Sequence, residues 1–183
     1  KKTVLWRYGF PIDLVINSTK LFLKLIQKNY GVFHVSNLMQ IGQLKEYKNL
    51  DMNKLYAIGT SNGSGMVNKL GIHTSHFKAI APVVSQLMES MPILDNTKPL
   101  SVYQFNGAAD TTIPINGGPR FGHIFLDALK SAELWAIKFE CSLPADVETI
   151  GEDTLYIFKN CNDNKEIRYL RVENGQHNLH KQN

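Results

Sequence analysis

The sequence lacks any long apolar run and any dense block of charge. No apolar stretch approaches the roughly 20 residues that a helix needs to cross a bilayer, so we expect no membrane span. The formal net charge is +4 and the lysines are scattered along the chain, which favours a solvated surface over a nucleic-acid-binding stripe. With 43% hydrophobic and 20% charged residues, the composition is typical of a globular protein with its own core.

Internal repeats, low-complexity tracts and Gly/Ser-rich linkers are also missing. We therefore expect a single domain over residues 1–183. The chain opens with Lys1, Lys2 and Thr3, without a methionine or a secretion signal. We expect a fragment or a processed product, in which any such signal was removed or lies upstream.

Cysteine is scarce in this chain. Only Cys141 and Cys161 are present, and two cysteines fit either two unpaired buried thiols or one disulfide. Composition alone leaves both alternatives open.

What the sequence does contain is an alternation of strand-like and helix-like segments. Strands are predicted at 32–35, 54–58, 77–84, 100–105, 154–158 and 166–172, after a short strand at 13–17. Helices are predicted from a cap at Ser18 or Thr19 to about 29–31, over 36–47, over 62–70 and within 119–139. This alternation indicates an α/β domain, a three-layer α/β/α sandwich with a mostly parallel sheet. The turn at 162–164 predicts a late antiparallel hairpin at or near one edge.

The stretch YAIGTSNGSGM passes from an apolar strand directly into small residues. It contains Gly59-x-Ser61-x-Gly63, a pattern in which a serine occupies a strained turn between a strand and a helix. The glycines leave room for that turn, and the backbone N–H of Asn62 would point toward an oxyanion. The alternative is an ordinary structural turn made of small residues.

A serine nucleophile needs a histidine as base and a carboxylate that orients the histidine. After this kind of turn the chain order is serine, acid, histidine, each at the carboxyl end of a strand. Asp110 follows the strand at 100–105, and His177 follows the strand at 166–172. His180 lies on the same tail and competes with His177 for the role of base. Alternatively, the aspartate is a turn former and the histidine a solvated side chain.

Several ordered segments together resemble a known family, the secreted esterases of the α/β-hydrolase fold that include polyhydroxybutyrate depolymerases and feruloyl or acetylxylan esterases. The segments are DMNKLYAIGTSNGSGM, FKAIAPVVSQ, FNGAADTTIPINGG and the stretch from Trp135 through both cysteines to ENGQH. The resemblance implies that Ser61 is the nucleophile, Asp110 the acid and His177 the base. Asn62 would supply one oxyanion N–H. The chain is short for this family, which implies a truncation on its N-terminal side.

The resemblance further implies a disulfide between Cys141 and Cys161, which match disulfide-bonded positions in such enzymes. A disulfide points to an oxidising compartment, so we expect a secreted or periplasmic protein. The substrate would be a carboxylic ester, with polymeric esters included. The chemistry of the serine, histidine and aspartate would need neither a metal nor an organic cofactor.

The sequence departs from this family at the second oxyanion donor. Members carry a histidine-glycine turn after an early strand, and the nearest substitute here is a backbone N–H of Asn17 or Ser18. In addition, Asn106 stands where the acid loop usually begins with histidine, and Gln176 replaces a glycine. Two functions are therefore open: a serine esterase, or a binding module of this fold whose oxyanion hole is incomplete. A peptidase or thioesterase would share the chemistry and differ only in its substrate cleft.

Overall fold

The computed structural model describes residues 12–17, 20–25, 51 and 53–179 of the chain. Its main sheet has eight strands in the order β1-β2-β3-β4-β5-β10-β9-β8. These strands are β1 (Ile12–Asn17), β2 (Lys20–Leu25), β3 (Leu55–Thr60), β4 (Phe77–Val83), β5 (Ser101–Gly107), β8 (Asp146–Ile150), β9 (Asp153–Cys161) and β10 (Lys165–Val172). A separate hairpin pairs β6 (Gly118–Arg120) with β7 (His123–Phe125), and the helices are α1 (Asn62–His73) and α2 (Ala128–Lys138).

The middle of the sheet is parallel. Strands β2, β3, β4, β5 and β10 run in one direction, and β1, β8 and β9 pair antiparallel with their neighbours. The carboxyl ends of the five parallel strands therefore meet at one edge of the sheet, which is where ligand and catalytic sites of open α/β sheets lie.

One row of apolar side chains forms the centre of the core. Ala57, Ile80, Val102 and Ile167 are at most 3% exposed, and they pair in register across β3, β4, β5 and β10. Because neighbours in register point to the same face of a sheet, these residues lie on one face. Both described helices pack into the same cluster, with Val67 and Leu70 from α1 and Ala132 and Trp135 from α2 as members.

Most predicted elements are present in the described residues. The predicted strands at 54–58, 77–84 and 100–105 correspond to β3, β4 and β5, and the predicted helix at 62–70 corresponds to α1. The strands at 154–158 and 166–172 correspond to β9 and β10, which form the expected antiparallel hairpin near one edge. The α/β class with a mostly parallel sheet is thus confirmed. The strand β8, which extends that edge, was not predicted.

The predicted helix that starts at Ser18 or Thr19 is wrong, because residues 20–25 form β2. Its apolar residues Leu21, Leu23 and Leu25 recur at every second position, which is the period of a strand and not of a helix. The predicted strand at 13–17 agrees with β1. The elements predicted at 32–35 and 36–47 lie outside the described residues.

The long helix predicted within 119–139 is too long at its start. Residues 118–125 form the hairpin of β6 and β7, with Phe121 and Gly122 at positive φ in its turn. The helix α2 begins at Ala128, where the side chain of Asp127 accepts a hydrogen bond from the Lys130 backbone N–H. That cap satisfies one of the N–H groups that have no partner inside the helix.

Cys141 and Cys161 form a disulfide, so the predicted pairing is confirmed. The bond joins the chain just after α2 to the end of β9. The Asn162 backbone N–H, next along the chain, donates to the Phe139 carbonyl at 2.8 Å. Neither helix of the described part of the chain is long and apolar enough to cross a membrane.

Candidate active site

Ser61 is the single residue between the end of β3 and the start of α1. Its backbone has φ 56° and ψ −117°, a conformation that costs a residue with a Cβ about 1–3 kcal/mol and persists only when neighbours hold it. Here the Ser61 N–H donates to the Val83 carbonyl at 2.8 Å, and the Ser61 carbonyl accepts from the Ser64 N–H at 2.9 Å. The serine is therefore held in a strained turn at the carboxyl end of β3.

Gly59 and Ser64 make that turn possible. A Cβ on Gly59 would lie 2.0 Å from the Gly63 carbonyl oxygen, which no side chain tolerates. The buried hydroxyl of Ser64 lies 2.8 Å from the Gly59 carbonyl and accepts from the Val83 N–H at 2.8 Å. It thus joins α1 to both β3 and β4. Sequence reasoning missed Ser64, since only the packing of three elements reveals its role.

Asp110 lies in the loop that follows β5, and its side chain is fully buried. Its Oδ1 accepts from the backbone N–H groups of Thr112 at 2.8 Å and Ile113 at 3.0 Å. Its Oδ2 lies 2.8 Å from Nδ1 of His177. Both oxygens of the carboxylate are therefore engaged, which leaves it one orientation.

His177 lies in the loop after β10 and bridges the other two side chains. Its Nδ1 faces Asp110 and its Nε2 lies 2.7 Å from Ser61 Oγ. Because an ionised carboxylate only accepts hydrogen bonds, the Asp110 contact assigns the imidazole proton to Nδ1. The unprotonated Nε2 is then free to accept the serine hydroxyl proton. The imidazole is 28% exposed.

The two loops that carry the acid and the histidine touch through their backbones. The Ala109 N–H donates to the Gly175 carbonyl at 2.9 Å, and the Ala108 N–H donates to the Val172 carbonyl at 2.9 Å. Gly107 permits this approach, since a Cβ there would lie 2.1 Å from the Gly175 oxygen. These main-chain contacts hold the loop of Asp110 against the loop of His177.

The two candidate oxyanion donors lie at different distances from Ser61. Asn62 is the first residue of α1, so its backbone N–H has no acceptor inside the helix. Asn17 is paired with Lys20 at the start of β2, whereas Leu25, at the other end of β2, is paired with Gly59. At about 3.3 Å per residue, Asn17 lies roughly 16 Å from the end of the sheet that carries Ser61. Asn17 is therefore too far from Ser61 to serve as the substitute donor, and Ser18 lies outside the described residues.

No cluster of three or more histidine, cysteine, aspartate or glutamate side chains suited to a metal ion occurs in the described part of the chain. His180, the competing base, lies outside that part. His73 is the last residue of α1 and His76 directly precedes β4, so both lie at the opposite edge of the sheet from Ser61.

No protein-family model and no curated protein matches the sequence, but the fold is similar to that of solved structures. A structure of the glucuronoyl esterase from Solibacter usitatus has a TM-score of 0.53 and 12% identity, over 78% of this chain and 43% of that chain. A second structure of a glucuronoyl esterase from Solibacter usitatus has a TM-score of 0.50 and 15% identity, over 78% of this chain and 43% of that chain. An acylaminoacyl peptidase from Pyrococcus horikoshii has a TM-score of 0.46 and 10% identity, over 75% and 22%.

At such identities the similarity shows the fold alone. The chain has the α/β-hydrolase fold, as the sequence predicts. It spans less than half the length of each of these three matched chains.

Proposed function

We propose that this chain is a serine hydrolase that cleaves carboxylic esters through an acyl-enzyme. The observation that carries the proposal is the single imidazole of His177, which lies 2.7 Å from Ser61 Oγ and 2.8 Å from Asp110 Oδ2. A serine hydroxyl is a weak nucleophile at neutral pH unless a neighbouring base takes its proton. The strained backbone of Ser61 supports the same reading, because such strain concentrates at functional sites.

Each of the three side chains has a defined task in the proposed reaction. Nε2 of His177 takes the hydroxyl proton as Ser61 Oγ attacks the ester carbonyl carbon, and it returns that proton to the departing alcohol. Water then attacks the acyl-enzyme by the same proton route and releases the acid. Asp110 keeps its charge throughout, holds the imidazole in the Nδ1–H tautomer and stabilises the imidazolium that forms.

The tetrahedral intermediate carries an oxyanion that needs hydrogen-bond donors. The Asn62 N–H at the start of α1 is the first donor, helped by the positive end of the helix. Removal of one such donor costs about 10²–10³ in turnover.

The ester class follows from the resemblance of the sequence to secreted esterases, polyester depolymerases included. Solved structures of this fold include a glucuronoyl esterase, which supports ester chemistry on this scaffold. The disulfide Cys141–Cys161 favours an oxidising compartment, so we place the protein outside the cytoplasm, secreted or periplasmic. The mechanism calls on no metal or organic cofactor.

A second candidate function is a binding module of this fold without turnover. One observation favours it: among the described residues near Ser61, Asn62 is the one oxyanion donor we identify, and Asn17, the nearest substitute that the sequence offers, lies at the other end of the sheet. Such a module would keep the three side chains in place and would not hydrolyse small activated esters.

A fluorophosphonate probe separates the two functions, because it reacts covalently with an activated serine. We expect the wild-type protein to be labelled at the peptide that contains Ser61. Ser61→Ala should abolish labelling, whereas Ser75→Ala, which changes an exposed serine beyond the end of α1, should leave it unchanged. Equal labelling of wild type and Ser61→Ala, or no labelling of a folded wild type, would remove the hydrolase proposal, and the second of these outcomes favours the binding module.

A further inference from the structure

A chain of buried polar side chains lies beneath the loop that carries Asp110. It consists of Gln86, Gln104, Asn106 and Ser131, each at most 1% exposed, and we call it the buried amide chain. Buried polar groups are costly unless they are hydrogen-bonded. Four of them in contact therefore call for a structural or functional reason.

The members are joined end to end by hydrogen bonds. Asn106 Nδ2 donates to Gln86 Oε1 at 3.0 Å, and Gln104 Nε2 donates to Asn106 Oδ1 at 2.9 Å. The Ser131 hydroxyl donates to Gln104 Oε1 at 2.9 Å. Connected amides of this kind polarise one another and fix a single arrangement.

The buried amide chain also donates hydrogen bonds to backbone carbonyls around it. Gln86 Nε2 donates to the Pro114 carbonyl at 3.0 Å and to the Leu126 carbonyl at 2.9 Å. Gln104 Nε2 donates to the Ala128 carbonyl at 2.8 Å. Both hydrogens of each glutamine amide are thus used on oxygen acceptors, and the network has no spare donor at either glutamine.

These contacts hold the loop of Asp110 at both of its ends. Asn106 is the last residue but one of β5, directly before the loop, and Pro114 follows Ile113, whose N–H donates to Asp110 Oδ1. Gln86 bonds to both positions, to Asn106 through its carbonyl oxygen and to Pro114 through its amide nitrogen. One side chain from the loop after β4 therefore spans the loop that presents the carboxylate.

We infer that Gln86 and Asn106 are positioning residues for the proposed hydrolysis, since they fix Asp110 where its Oδ2 meets Nδ1 of His177. This inference rests on the proposed function. Neither residue is placed against the reacting atoms, so both act through the aspartate. A displacement of about 1 Å in a catalytic group can cost about 10²-fold in rate. Hydrogen bonds of side-chain amides are directional, so they resist such a displacement better than apolar packing does.

The test removes the hydrogen bonds of Gln86 and keeps the volume of its side chain nearly constant. Gln86→Met removes the three side-chain hydrogen bonds of Gln86 with a side chain of similar length. The matched control is Thr97→Val, since Thr97 is also buried and its hydroxyl makes two hydrogen bonds, to the Ile72 carbonyl and from the Leu94 N–H. Thr97 precedes β5 and so lies at the opposite edge of the sheet from Asp110.

Three quantities are measured on each protein: the melting temperature, kcat and KM for a small activated ester, and the downfield ¹H NMR resonance of the His177 Nδ1 proton. Both variants should lose melting temperature. We expect Gln86→Met to lower kcat about 10- to 100-fold with KM within about twofold, and to shift or broaden the resonance. Thr97→Val should leave kcat and the resonance as in the wild type.

If Gln86→Met does not fold, Asn106→Ser, which retains a smaller polar group, is measured in the same way and decides the question. An unchanged kcat with an unchanged resonance in the folded variant overturns the inference and leaves the hydrolase standing. If the wild type turns over no ester, the resonance, which needs no substrate, still tests the positioning of Asp110. Its loss in the variant supports the positioning role while the proposed function fails.

Discussion

At the scale of single residues, the site depends on how each polar atom is partnered. The carboxylate of Asp110 accepts from two backbone N–H groups and from His177, so it is held without freedom to rotate. The imidazole in turn has one nitrogen for the acid and one for Ser61. A change of one acceptor atom at position 110 would therefore change the tautomer of His177, and with it the ability of Nε2 to accept the proton of Ser61.

Asp110→Asn tests that dependence with almost no change in shape. The amide NH₂ can donate to Nδ1, which would move the imidazole proton to Nε2, where it can no longer accept the serine proton. We expect kcat to fall about 10⁴-fold while the protein stays folded by circular dichroism. Asp127→Asn is the control, because asparagine caps a helix about as well as aspartate does. Comparable kcat values for the two variants would contradict the role of Asp110.

The sequence predicted the three side chains of the site because their order and their places after strands are local features. The structure brings Ser61, Asp110 and His177 within hydrogen-bond distance, and their catalytic roles are a proposal. Ser64 and the buried amide chain escaped prediction, since their partners lie 19 to 44 positions away in most cases. Isolated serines, asparagines and glutamines in a sequence give no sign of such contacts.

At the scale of elements, the corner between β3 and α1 is the feature on which the site depends. The strand ends at Thr60 and the helix begins at Asn62, so the chain reverses over one residue. That sharpness is what lifts the serine hydroxyl above the ends of the parallel strands. It also requires the helix and strand backbones to approach closely at Gly59.

Gly59→Ala and Gly65→Ala form a matched pair on this corner. The added methyl at position 59 would meet the Gly63 backbone at 2.0 Å, whereas nothing lies within 4 Å of a Cβ at position 65. We expect Gly59→Ala to lower the free energy of unfolding by about 3 kcal/mol or more and to abolish probe labelling. Gly65→Ala should stabilise α1 by up to about 1 kcal/mol with labelling intact. Urea unfolding measures the stability of both variants. Equal changes in the free energy of unfolding would contradict the close approach of the Gly59 and Gly63 backbones.

The predicted secondary structure agrees with most of the described strands and with α1, and it is wrong over 20–25 and over 119–125. The strand β4 was predicted because it is a mostly apolar run broken only by Lys78. The alternation of Leu21, Leu23 and Leu25 was mistaken for a helix. In 119–139, Pro119 and Gly122 belong to a hairpin, and the aspartate that starts α2 gives the better signal for the helix N-terminus.

At the scale of the whole molecule, the disulfide ties the helical layer to the antiparallel end of the sheet. Cys141 follows α2, and Cys161 ends β9, the partner of β10. The strand β10 leads directly to His177. The bond therefore stabilises the side of the fold from which the base is presented, although it lies outside the site.

Removal of the disulfide should lower stability by an amount set by the loop it closes. With a sequence separation of 20, the loss of chain-entropy constraint is about 3 kcal/mol. We expect Cys141→Ala with Cys161→Ala to lower the urea midpoint of the protein accordingly. Reductant should lower the midpoint of the wild type by a similar amount and leave the double variant unchanged. A wild-type midpoint that is insensitive to full reduction would contradict this role.

The central claim is that His177 activates Ser61 for attack on an acyl carbon, and pre-steady-state acylation tests it most directly. The full chain is mixed with a p-nitrophenyl ester, quenched in acid within one turnover, and its peptides are weighed by mass spectrometry. We predict a burst of one nitrophenolate per protein and one acyl group on the peptide that contains Ser61, with both absent in His177→Ala. A folded protein that gives no burst, or an acyl group that resides on another residue, would contradict the claim.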